Sequence, residues 1–205
     1  TNKSNSKIAI TLEQIIHNSL MPSNNYRIAY INFWANLFTP NNGGNLRAHG
    51  LFNSLSKFTN AELMNVNGLH DVSKAPIDWK IKNIQGKAPI RLKFILRIIS
   101  VLTRKGIFLS SDSRNTLVAG YHSNWFSEYS HVVLTSRDML LIAPIIRIFN
   151  SSLTVIYDSH NVDYLQAKQQ SKAQKKIRFL ESLIPHLAHQ IWCCSDIDRS
   201  NFIRL

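Results

Sequence analysis

The sequence predicts an α/β domain with a mainly parallel sheet, and three observations carry that expectation. Strand-like apolar runs recur at residues 27–33, 62–66, 107–110, 131–135, 153–157 and 190–194. Helical patterns lie between most of them, at 46–58, 89–103, 139–149 and 173–187. Strands alternating with helices of this length indicate βαβ units. Two of the runs also end in polar, ligand-ready loops, which in a doubly wound fold is where substrates bind.

Residues 1–25 read as an extension: a polar start, a short helix with Ile8, Leu12, Ile15 and Ile16 on one side, and a breaker at Pro22-Ser23-Asn24-Asn25. The domain proper is expected to span 26–205, beginning at Tyr26 just ahead of the first strand. A helix follows the Gly-containing loop, and residues 74–89 are the least patterned part of the chain. No internal repeat and no long low-complexity linker interrupts the alternation.

Composition limits the classes of function. With 205 residues, 44% of them hydrophobic and 18% charged, the chain can bury one sizeable core and is not a largely disordered protein. The 24 Lys+Arg against 12 Asp+Glu give a formal charge of +12, which favours an anionic partner: nucleic acid, an anionic membrane surface or a phosphorylated substrate. The two cysteines, Cys193 and Cys194, are neighbours in an apolar run and cannot staple distant parts of a fold, so a reducing compartment is expected. No stretch approaches the roughly 20 apolar residues that span a bilayer, and the first seven residues do not resemble a signal core. These features lead to a cytoplasmic reading, with peripheral attachment to a membrane left open.

The first ligand-ready loop is Pro40-Asn41-Asn42-Gly43-Gly44-Asn45-Leu46-Arg47. Gly43 and Gly44 lack a Cβ, so the backbone can take positive φ and let a ligand approach, and Asn45 is expected to cap the next helix. A helix N-terminus there suits a phosphate or an anionic sugar. The loop is too long for a dinucleotide fingerprint and no G-x-G-x-x-G occurs, which disfavours a nicotinamide cofactor. An ordinary Gly-containing turn before a helix is the plainer reading.

The second is Tyr157-Asp158-Ser159-His160-Asn161-Val162-Asp163. His160 lies just past a strand, where imidazole can donate to a sugar hydroxyl or accept a proton near neutral pH. Asn161 brings a donor and an acceptor, and Asp158 and Asp163 can orient the histidine or bond hydroxyls. The other seven histidines are read as structural or solvated. His186 and His189 are three apart, but Pro185 intrudes and no further ligand is near, so no metal site is assigned.

These segments, with Ile191-Trp192-Cys193-Cys194-Ser195-Asp196, resemble the N-terminal, acceptor-side domain of family-4 retaining glycosyltransferases of the GT-B fold. In that family a strand ending in a His-Asn-Val-Glu-like loop precedes a long helix, and a later strand ends in a serine before another helix. Here Asp163 stands in place of the more usual Glu. The resemblance implies a Rossmann-like three-layer domain and sugar transfer from a nucleotide-sugar with retention, with no metal or cofactor held by the protein. It implies that Gly43 and Gly44 approach the donor diphosphate or the acceptor, that Arg47 lies on the following helix, that His160 lies against the donor sugar and that Ser195 edges the interdomain cleft. The family's second domain, which binds the nucleotide, is not in this sequence. The expectation is therefore a partial enzyme, inactive or nearly so without a donor-binding domain or partner chain.

A basic stretch bears on the acceptor. Between Lys80 and Lys105 lie eight basic residues and no acidic one. On a helix from Pro89, Leu92, Ile95, Leu96, Ile99 and Leu102 fall on one side and Lys93, Arg97 and Arg104 on the opposite stripe, which can rest on anionic lipid or an anionic acceptor. A core helix with a solvated edge is the plainer reading. The acceptor expected is a glycan or lipid-linked glycan. Two rivals stand beside the enzyme: a non-catalytic, membrane-associated acceptor-binding subunit of a split glycosyltransferase, and a basic nucleic-acid-binding Rossmann domain. Nucleic acid is disfavoured because Trp34, Trp79, Trp125 and Trp192 are dispersed and no nucleic-acid-binding motif occurs.

Overall fold

The computed structural model describes residues 26–32, 37–68, 70–84, 125–140, 142–160 and 172–204. In chain order these form β1 (Arg27–Ile31), α1 (Gly43–Phe58), β2 (Asn60–Val66), β3 (Ile81–Ile84), β4 (His131–Leu134), α2 (Arg137–Leu140), α3 (Ala143–Phe149), β5 (Thr154–Asp158), α4 (Lys172–Leu187), β6 (Gln190–Trp192) and α5 (Asp196–Arg204). The extension 1–25, the strand expected at 107–110 and the helix expected at 89–103 with Lys93, Arg97 and Arg104 lie outside the described residues, as do Asn161 and Asp163.

The strands make one six-stranded sheet in the order β3-β2-β1-β4-β5-β6, with every neighbouring pair parallel. This is the doubly wound, Rossmann-like arrangement, and its winding reverses between β1 and β4. Parallel strands covered on both faces read as continuous apolar runs, which is how β1, β4 and β5 announce themselves.

Alternate residues of each strand feed two cores. On one face Ile28, Tyr30, Leu63, Val133, Ile156 and Trp192 meet Ala48, Leu51, Phe52 and Leu55 of α1. That helical spacing of three and four places one stripe of α1 on the sheet. On the other face Ala29, Ile31, Met64, Val132, Leu134 and Tyr157 meet Met139 and Leu140 of α2, Ile146 of α3, Ile184 of α4 and Phe202 of α5. Three layers result. Each large apolar side chain so enclosed contributes about 1.5–3 kcal/mol.

Three element expectations need correction. Residues 74–89 contain β3, paired in parallel register with β2 from Leu63↔Ile81 to Val66↔Ile84; only Ile84 of its four residues is buried, so an edge strand there lacks the apolar signal. The helix expected at 139–149 is two helices, because Pro144 in the first turn of α3 cannot donate to the preceding turn. The strand expected at 190–194 ends at Trp192, and Cys193 and Cys194 leave the ladder.

At the amino end of the sheet, Arg27 donates to Glu62 Oε1 at 3.0 Å while the Tyr129 hydroxyl donates to Glu62 Oε2 at 2.6 Å. Arg27 also lies 4.9 Å over the Tyr129 ring, a cation–π contact. Burial pushes the Glu62 carboxyl up, but the Tyr129 and Arg27 hydrogen bonds outweigh it and hold the group below its ordinary value. Both oxygens of this carboxylate are occupied.

Candidate active site

Asp158 is the last residue of β5 and shares the face of Ile156, which belongs to the core under α1. Its carboxylate is therefore aimed at α1, whose second turn carries Arg47. The two close an ion pair of 2.7 Å across 111 positions of sequence, with the Asp158 side chain fully buried and Arg47 18% exposed. Burial pushes the Asp158 carboxyl above its ordinary value, and Arg47 is the chief group holding it back. Burial also opposes the Arg47 charge, but the adjoining carboxylate outweighs that and raises Arg47 above its ordinary value. The guanidinium stays protonated, and its contact favours the carboxylate anion against the burial that disfavours it.

His160 approaches the same carboxylate from the loop beyond β5. Its Nε2 lies 3.8 Å from Asp158 Oδ2, and its side chain is 7% exposed. Asp158 Oδ2 accepts no hydrogen bond among the described residues. One carboxylate thus serves two neighbours: Oδ1 holds Arg47, and Oδ2 faces the imidazole 3.8 Å away. A carboxylate placed this way orients an imidazole.

The glycines behave differently from expectation. Gly43 and Gly44 form the first turn of α1, and Asn42 is its cap, accepting from the Asn45 amide at 2.9 Å. Asn45 is not the cap; it is buried within that turn, donating to Asn41 Oδ1 at 3.1 Å. Among the described residues positive φ occurs at Asn67 and Gly68, in the turn after β2, and not at Gly43 or Gly44. Nor is the absent side chain required sterically at Gly43, where a Cβ would meet nothing within 4 Å. The start of α1 is open at Gly43 and is an ordinary helix N-terminus rather than a strained loop.

Ser195 caps α5: its hydroxyl accepts from the Asp198 amide at 3.1 Å and donates to the Asp198 carboxylate at 2.8 Å. It sits at the carboxyl end of β6, outside the Arg47–Asp158–His160 group. His186 lies in the last turn of α4, which runs through Pro185, while His189 Nδ1 accepts from the Val155 amide at 2.8 Å. Among the described residues no group of three or more His, Cys, Asp or Glu is placed to hold a metal ion.

Several groups at this edge escaped the sequence reading. Tyr30 is buried beneath the ion pair, with its hydroxyl donating to Ala48 O at 3.4 Å and its phenol pushed well above the ordinary range by burial. At the reversal point Thr135 donates to Asn32 at 3.0 Å, and on the flank beyond it Asn65 of β2 accepts from the His70 amide at 2.9 Å and donates to Asn83 of β3 at 2.7 Å. His70 Nε2 meets Asn32 O at 2.8 Å, and burial holds this imidazole below its ordinary value despite that bond. Asn32 directly after the apolar run of β1 is the signal in sequence that marks this network; Asn65 and Asn83 lie within β2 and β3. The thiols are protonated at neutral pH, burial pushing Cys193 up to about 12 and Cys194 above its ordinary value.

No helix among the described residues is long and apolar enough to cross a membrane. Comparison of the chain with protein families, with characterised proteins and with solved structures finds no match.

Proposed function

We propose that this chain is the acceptor-side domain of a retaining GT-B glycosyltransferase of polysaccharide biosynthesis, moving a sugar from a nucleotide-sugar to a glycan or lipid-linked acceptor. The work would be done in the cytoplasm or at the inner face of the membrane, with a separate donor-binding domain or chain completing the cleft. The observation that carries this reading is His160 held beside a buried carboxylate at the carboxyl end of a parallel strand. The His-Asn segment after β5 and the Ser195 element after β6 also occur in the order that the family resemblance requires.

On this reading each residue has a distinct task. His160 hydrogen-bonds the donor sugar, and Asp158 behind it places negative charge near the anomeric carbon as positive charge develops there. A fixed charge in a site of low dielectric acts on the transition state more than on the bound substrate. Arg47 holds Asp158 ionised in the absence of substrate. The open start of α1 at Gly43 lets an anionic group approach the helix N-terminus.

The test is transfer by the complete enzyme containing this domain, using radiolabelled nucleotide-sugars and a lipid-linked glycan acceptor. His160→Ala should lower kcat by about 100-fold or more, within the range that positioned imidazoles contribute, while the melting temperature stays unchanged. Wild-type product should keep the donor's anomeric configuration by NMR. Unchanged turnover would remove His160 from the mechanism, and an inverted product would exclude the proposed class.

A further inference from the structure

The loop that carries His160 is gripped from the neighbouring strand by a thiol. The β5–β6 ladder ends with the Ser159 amide donating to Trp192 O at 2.8 Å. Past that bond β6 has stopped, its last residue being Trp192. Beyond its end Cys194 Sγ lies against the loop, donating to His160 O at 2.9 Å and reaching Ser159 O at 3.3 Å. The thiol is protonated at neutral pH, as a donor must be.

We propose that Cys194 is a positioning residue for His160: its S–H continues the ladder by one side chain and so fixes the backbone that sets the imidazole beside Asp158. The burial of the two ends of the contact differs. Cys194 is exposed, whereas the His160 side chain is almost enclosed and its Nε2 lies 3.8 Å from a fully buried carboxylate oxygen. An exposed cysteine contributes little to the core, so its geometry matters for where the loop sits. The chemical requirement is a donor of about this size. Serine meets it with a stronger O–H donor; valine has similar volume and no donor.

Placement can be read without any substrate. Diethyl pyrocarbonate carbethoxylates neutral, accessible imidazoles, and site-resolved mass spectrometry follows each histidine separately. In Cys194→Val, His160 should label at least fivefold faster than in wild type, while Cys194→Ser should stay within twofold of wild type. His70, 6% exposed and held by its own network, is the internal control and should not change in either variant. Wild-type labelling of His160 in Cys194→Val, equal acceleration in the Ser and Val variants, or parallel acceleration of His70 would each overturn the proposal.

The consequence for turnover rests on the sugar-transfer reading and separates from the placement itself. Cys194→Val should lower kcat with KM little changed, and Cys194→Ser should restore it. If labelling responds as stated and kcat does not, the positioning stands and the assignment of His160 to the reaction fails.

Discussion

Two arginine–carboxylate pairs sit at opposite ends of the same sheet, and they are built to different standards. At the amino end both oxygens of Glu62 are hydrogen-bonded, and the pair is partly exposed, at 38% for Arg27 and 16% for Glu62. At the carboxyl end Asp158 is fully buried, yet one oxygen is bonded to Arg47 while the other faces His160 at 3.8 Å. The first pair is closed chemistry that fastens strands together. The second retains bonding capacity at the end of the sheet where parallel α/β folds place their ligands. A buried polar atom without a full complement of bonds costs stability, and such costs are retained where they serve a site.

Removing the arginine from each end should break the comparison most sharply. Arg47→Met leaves a carboxylate buried without its cation and should cost about 3–5 kcal/mol, read from urea denaturation. Adding Asp158→Leu to that variant should recover most of the loss, since it removes the stranded charge. A cost under about 1 kcal/mol for Arg47→Met alone would mean that Asp158 is neutral in the folded protein.

At the closed end the hydroxyl of Tyr129 carries more than the salt bridge. Tyr129→Phe deletes a hydrogen bond to a charged acceptor and should cost about 1.5–3 kcal/mol. Arg27→Met should cost less than about 1 kcal/mol, because the guanidinium is partly exposed and solvent takes over its role. If the order of these two is reversed, the ion pair rather than the phenol fastens β1 to β2.

Acid should separate Glu62 from His70 by pH, with His131 at the amino end, also held low by burial, contributing in the same window as His70. Glu62 lies below its ordinary value of 4.5 in the folded protein, so the stability it contributes is present above that pH and is lost as pH falls through the folded value. His70, at the other end, lies below its ordinary 6.5; the unfolded chain takes up that proton first, and stability declines as pH falls from about 6.5. Glu62→Gln should therefore flatten the urea midpoint against pH below about 4.5, and His70→Gln should flatten it in the higher window. Swapped windows would overturn the assignment.

The sheet was largely legible because its central strands are buried on both faces and so read as unbroken apolar runs at 28–31, 132–134 and 155–157. β3 was not, since Lys82 and Asn83 on an edge strand carry no such signal. At the start of α1, three asparagines within five residues compete for the cap, and composition does not say that Asn42 wins over Asn45. His160 and Asp158 were visible as chemistry on one loop. Their partners were hidden by distance along the chain: Arg47 lies 111 positions from Asp158, and the Cys194 thiol lies 34 from the carbonyl it holds. Contacts of that span are products of strand order, which local pattern does not encode.

The strand order also has a consequence for synthesis. β1 lies in the middle of the sheet, pairing with β2 on one side and with β4 on the other, where Ile28 meets His131. The ribosome therefore releases one flank of β1 long before its partner exists, about 100 residues and, at about 5–20 residues per second, about 5–20 s later. During that interval an apolar strand presents an open edge, the kind of surface that recruits other chains. A nascent chain stalled between β3 and β4 should accordingly be the form of this protein most dependent on chaperones.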